Sequence, residues 1–185
     1  MEAYKSLTVR KNKTGPILNF HPWVFSRAIV NIPEGLTPGE PVRFYDEEKR
    51  FLGLGYFNSY SLITARIWGY DEREIVDVDF FKKRIRKAYE IRKRFVETPE
   101  TNAFRIINGE NDLLPGLIVD KYDAYLVVQI HTKGMEKWKD EIVKSLEEVI
   151  RPKGIYERSD VSVRKSEGLS ASNKPLFGDI PDLIQ

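Results

Sequence analysis

The sequence contains no cysteine. Disulfides, thiolate-bound zinc and a thiol nucleophile are therefore excluded within these 185 residues. Histidine is scarce: His21 and His131 are the only two, too few for a His-rich metal site. No apolar run approaches the roughly 18 residues that a membrane-spanning helix needs, and no leader pattern opens the chain. These absences lead us to expect a soluble, cytoplasmic protein with no metal and no membrane partner. A Gly-rich turn between a strand and a helix, the signature of a dinucleotide-type pocket, is also missing. Its nearest match, Gly53-Leu54-Gly55-Tyr56-Phe57, sits inside a strand pattern with no helix behind it. A dominant charge of one sign is lacking too, the net charge being +2.

The charge is nevertheless unevenly spread. Residues 1–99 hold 18 Lys/Arg against 13 Asp/Glu, and residues 100–185 hold 12 against 15. A basic first half is a mild pointer to a polyanionic partner, although ordinary surface charge has the same look. A hydrophobic content of 41%, with 12% aromatics, suffices for packed cores and argues against disorder. One large domain or two small ones fit this length.

The first 70 residues read as short strands with regular turns, which suggests a small barrel. Tyr4–Arg10, Pro41–Tyr45, Phe51–Phe57 and Leu62–Trp68 are the expected strands, and a helical turn is expected from Pro22, because Pro suits a first helical position. Gly69–Val76 reads as a linker. A long helix follows, capped by Asp77 or Asp79, with Phe81, Ile85, Ala88, Ile91 and Phe95 at helical spacing amid dense Lys and Arg. That dense charge reads equally as a solvated face or as a surface tracking RNA. A second helix is expected from Gly134, with Met135, Trp138, Ile142 and Leu146 on one face, ending before Pro152. Gly154–Glu157 reads as a strand, Ser159 or Asp160 as the cap of a short helix, and residues 170–185 as a polar tail.

The stretch Phe104–Gln129 organises the second half. Three β-branched runs, broken at Asn108-Gly109, Pro115-Gly116 and Tyr122-Asp123, predict an antiparallel meander. Strands do not explain why Arg105, Glu110 and Asp112 crowd the first break. Together with Arg158 and Asp160 they form a polar set. Two carboxylates two residues apart suit acid–base work or a cation, while Arg–carboxylate pairs and Asx hydrogen bonds would simply hold a turn. A hydrolase built on Glu110 and Asp112 lacks a positioned base or nucleophile. In the first half, Trp23 and Phe25 read first as core residues of the barrel. Alternatively, His21 and Trp23 offer flat surfaces to unstacked bases, with Arg10, Lys11, Lys13 and Arg27 on phosphates.

Three segments carry a family resemblance. His21–Ile29 (HPWVFSRAI), Gly109–Tyr122 (GENDLLPGLIVDKY) and Arg158–Leu169 (RSDVSVRKSEGL) resemble, in this order, motifs of the class I SAM-dependent methyltransferases that modify a cytosine of large-subunit rRNA at its 5-position. Pro38–Val42, Phe51–Asn58 and Ser61–Ile67 resemble the PUA fold. The resemblance implies an α+β chain: a PUA-like barrel over 1–70, then a middle α/β domain of antiparallel strands packed with helices over 71–169. That second domain would hold a helix at 77–97, strands within 103–131, a helix at 134–151 and a strand at 154–157. Residues 170–185 would be a tail leading to a catalytic Rossmann domain that the chain lacks. RNA is the implied partner, bound through Arg10, Lys11, Lys13, His21, Trp23 and Arg27. Arg105, Glu110, Asp112, Arg158 and Asp160 would face the catalytic cleft. S-adenosylmethionine is implied for the family and expected not to bind here, and the cysteine nucleophile of cytosine-5 chemistry has no counterpart. An RNA-binding or ribosome-assembly module without catalysis is the alternative, and homodimerisation is left open.

Overall fold

The computed structural model describes residues 4–181. The first sheet is built from β1 (Lys5–Val9), β2 (Trp23–Val24), β3 (Pro41–Asp46), β4 (Phe51–Phe57) and β5 (Ala65–Gly69), in the order β1-β3-β4-β5-β2, with α1 (Gly15–Leu18) between β1 and β2. β1 runs parallel to β3, and the other pairs are antiparallel. Leu7, Val9, Val42, Phe44, Phe57 and Ile67 fill its interior.

The second sheet has the order β10-β9-β8-β7-β6, where β9 is Gly154–Ser159 and β10 is Ser172–Gly178. β6 (Ala103–Asn108), β7 (Leu117–Tyr122) and β8 (Tyr125–Ile130) form the antiparallel meander foreseen from the sequence. β7 and β8 alternate buried and half-buried residues, as a sheet with only one face covered requires. The covering helices are α2 (Val78–Phe95), α3 (Lys133–Lys137) and α4 (Lys139–Ile150). Asp77 caps α2 by accepting from the Phe80 amide at 2.8 Å, satisfying one of the amides that a helix start leaves unpaired. α2 buries Phe80, Phe81, Ile85 and Ala88, whereas Ile91 and Phe95, assigned to the same stripe, are exposed.

Several expectations are corrected. The strands are not all antiparallel: β8 and β9 (Gly154–Ser159) pair in parallel, since the α3–α4 crossover returns the chain in the same direction. The polar tail contains a seven-residue strand, β10 (Ser172–Gly178), antiparallel to β9. The short helix α5 (Val163–Ser166) starts after Ser162, so neither Ser159, which lies in β9, nor Asp160 caps it. No helical turn begins at Pro22. The Pro22 carbonyl accepts from the Ile67 amide, and Trp23–Val24 pairs with Ala65–Arg66, so pairing across the barrel overrides the local preference.

β4 and β5 are buried on both faces, and this joins the two halves. Leu54, Tyr56 and Trp68 belong to the same core as Phe81, Ile106, Leu114 and Ile130. The Trp68 ring lies 5.0 Å from Tyr56, 6.0 Å from Phe80 and 6.3 Å from Phe81, and such pairs contribute about 0.5–1.5 kcal/mol each beyond burial. The connection 69–76 is held at both ends: Arg84 bonds the Trp68 carbonyl and Glu74, and the Val76 amide donates to the Tyr4 hydroxyl.

Candidate nucleic-acid interface

The chain between β1 and β2 builds a groove. Lys11–Lys13 forms a 3-10 turn, α1 follows, and the backbone reverses at Phe20 with φ of 61°. The reversal is held by the His21 amide donating to the Pro16 carbonyl at 2.9 Å. The resulting hollow of about 440 Å³ is lined by Lys13, Pro16, Ile17, His21, Trp23, Val24, Phe25, Arg27 and Ala28. Four of the six residues assigned to RNA, namely Lys13, His21, Trp23 and Arg27, thus converge on one concavity. Arg10 is exposed and does not line the hollow, although its amide bonds the Ala28 carbonyl. Lys11 is committed elsewhere: its ammonium pairs with Glu48 at 2.6 Å and its amide donates to Glu47. Glu48 holds the Lys11 pKa above its ordinary value.

Trp23 and Phe25 are not core residues. They are 36% and 49% exposed, because the two-residue strand β2 is an edge and turns these rings outward. The His21 ring meets the Trp23 ring edge-on at 5.5 Å, and its Nδ1 accepts from the Trp23 amide at 3.3 Å. That bond assigns the proton of the neutral ring to Nε2. Lys13 and Arg27 make no ion pair among the described residues. Cations without partners beside exposed aromatic faces are the two elements that single-stranded nucleic acid requires.

The polar set of the second half does not converge. Asp112 is a structural pin: it takes a bidentate bond from Arg92 at 2.6 and 2.8 Å and accepts from the Asn108 amide at 2.7 Å. Arg105 pairs with Asp120 on β7 at 2.8 Å. Arg158 and Asp160 are exposed on and just after β9, with β8 and β7 between them and β6. Glu110 instead crosses to the groove, where its carboxylate accepts from Trp23 Nε1 at 2.8 Å. No cluster of three or more potential metal ligands occurs among the described residues.

The sequence reading missed Arg66 and Glu167. Their buried pair, at 2.8 Å, joins β5 to the turn after α5, and Asn58 Nδ2 adds a bond to the same carboxylate at 2.7 Å. Trp23 is the register partner of Arg66, so this pair braces the strand that carries the groove. Nearby, Arg164 donates to the Ile130 and Ser170 carbonyls and meets Glu136 at 3.0 Å. Both acidic and basic members of these networks lie in the RSDVSVRKSEGL segment, but no local spacing distinguishes them from surface charge.

The Gly53-Leu54-Gly55 run is not a nucleotide-binding turn. Gly53 and Gly55 lie within β4, and a Cβ on Gly55 would stand 2.0 Å from the Arg66 carbonyl oxygen. These glycines admit a neighbouring strand, not a nucleotide. Among the described residues, no helix is long and apolar enough to cross a membrane.

Residues 7–70 match the family model of a PUA-like domain. The chain is 41% identical over 161 residues to ribosomal RNA large subunit methyltransferase I of Pseudoalteromonas translucida, covering 87% of this chain and 41% of that protein. It is 34% identical over 181 residues to the protein of the same name from Salmonella arizonae, covering 98% and 45% respectively. Among solved structures, a candidate SAM-dependent methyltransferase from Streptococcus mutans superposes with a TM-score of 0.79 at 21% identity, over 96% of this chain and 44% of that one. A second, a candidate methyltransferase complexed with SAH, gives 0.80 at 21% identity. The chain therefore carries a PUA-like domain at residues 7–70 and is a homologue of proteins named rRNA large subunit methyltransferase I, spanning less than half of their length.

Proposed function

We propose that this chain binds RNA and orients it for methyl transfer, as the recognition part of a SAM-dependent enzyme that modifies a cytosine of large-subunit rRNA at its 5-position. The observation that carries the reading is the groove: Lys13, Arg27, His21, Trp23 and Phe25 around a hollow of about 440 Å³ within the PUA-like domain. Unstacked bases lie on the indole and phenyl faces, each worth about 1–3 kcal/mol by alanine substitution. The guanidinium and ammonium groups take phosphates. The relatives' names supply the rRNA and the methyl transfer. Attack on the cytosine ring needs a thiolate in the family that the motifs resemble, and these residues include no cysteine. The proposal assigns that step and the SAM pocket to a further domain, with residues 71–169 carrying the barrel towards it.

The test is fluorescence anisotropy with a labelled fragment of large-subunit rRNA across a range of salt. The variant Lys13→Ala/Arg27→Ala should bind more weakly, with a salt slope lower by about one to two. Unchanged affinity and slope would remove the groove from the RNA-binding surface.

A further inference from the structure

α2 carries eight Lys and Arg side chains. Three are committed: Lys82 to Glu148 at 2.6 Å, Arg84 to Glu74 at 3.0 Å and Arg92 to Asp112 at 2.6 Å. The other five, Lys83, Arg86, Lys87, Lys93 and Arg94, are exposed and make no ion pair among the described residues, with Glu90 the sole carboxylate between them. Lys83, Lys87 and Arg94 fall on one flank of the helix, in a row about 16 Å long. That flank borders a second hollow, of about 250 Å³, whose wall includes Lys87, Ile91, Asn111 and Leu113. Ile91 and Leu113 are 44% and 39% exposed there, so its floor is apolar while its rim is cationic. Asp112 also borders it, but its charge is already matched by Arg92.

One short turn, Gly109–Asp112, separates this hollow from the groove. Its Glu110 holds the groove's Trp23, and its Asp112 holds α2 through Arg92. Groove and helix flank are thus fixed relative to each other by two side chains of the same turn. We propose that single-stranded RNA leaving the groove crosses this turn and continues along α2, with bases over Ile91 and Leu113 and phosphates on Lys83, Lys87 and Arg94. The proposal rests on the groove binding RNA, and it adds a second contact that only a longer strand reaches.

Oligoribonucleotides of about three and about twelve nucleotides separate the two contacts, since single-strand sites span about 4–16 nucleotides. The exposed triple variant Lys83→Ala/Lys87→Ala/Arg94→Ala should bind the short strand as the native chain does. On the long strand its affinity should fall roughly tenfold at low salt, and its salt slope by about two, as for three lost phosphates on a single strand. Native binding of the long strand by this variant overturns the proposal and leaves the groove reading intact. Equal weakening on both strands also overturns it, because general electrostatics then suffices. If Lys13→Ala/Arg27→Ala leaves both strands unaffected, the groove reading fails and the path fails with it.

Discussion

The indole Nε1 of Trp23 donates to the carboxylate of Glu110 at 2.8 Å, across 87 positions of sequence. A carboxylate beside a phosphate-binding groove opposes binding by charge, yet this one fixes the plane on which a base would stack. The geometry decides between the two effects. Glu110→Ala should weaken RNA binding by about 0.5–1.5 kcal/mol, the net worth of a typical hydrogen bond. Glu110→Gln keeps an acceptor and removes the charge, so its affinity should equal or exceed the native value. Tighter binding by Glu110→Ala, measured by anisotropy at fixed salt, would show that charge alone matters.

Arg66 and Glu167 form the buried pair behind Trp23, with side chains 5% and 1% exposed. Removing one partner leaves a buried charge without compensation, which costs about 3–5 kcal/mol. Glu167→Ala should lower the urea midpoint accordingly, and Arg66→Met/Glu167→Leu should recover much of the loss. A single variant within about 0.5 kcal/mol of native, the usual range for surface changes, would mean that the pair is solvated.

Gly134 begins the α3 contact with the barrel. A Cβ there would stand 2.4 to 2.6 Å from three ring atoms of Tyr56, itself fully buried. Gly134→Ala should therefore destabilise the chain by about 1–3 kcal/mol, as overpacking does, although alanine favours helix. Stabilisation, read from the thermal midpoint, would show the two halves are not in contact at this point.

His131 supplies the pH dependence. Burial first, then the nearby Arg164, lowers its pKa from the ordinary 6.5. Between the two values the unfolded chain binds the proton and the folded chain does not, so stability is retained above 6.5 and declines as pH falls through the lower folded value. His131→Gln should flatten that part of the stability profile. An equally steep decline in the variant would place the titrating group elsewhere.

Legibility followed the range of the interactions. β4, α2 and the β6–β8 meander stand close to their expected places, because periodicity and adjacent turns specify them locally. β2 is two residues long and exists only by pairing with Ala65–Arg66, far along the chain, so Pro22 pointed to a helix instead. β10 hid behind Lys174 and Pro175, which an edge strand tolerates, and a register shift between Pro175 and Phe177 absorbs the irregularity. The basic side of the groove was visible in composition. Its Glu110 brace and its Arg66–Glu167 support were not, since both join residues whose spacing in sequence carries no period.

The central claim is that bases stack on Trp23. Trp68 is buried and Trp138 half-buried, so Trp23 is the only exposed tryptophan. Titration with single-stranded RNA should quench its emission in step with binding seen by anisotropy. Trp23→Phe should abolish most of the quench, and Trp23→Ala should also weaken binding by about 1–3 kcal/mol. RNA that binds with native affinity to Trp23→Ala, or that leaves the emission of the native chain unchanged, would contradict the account.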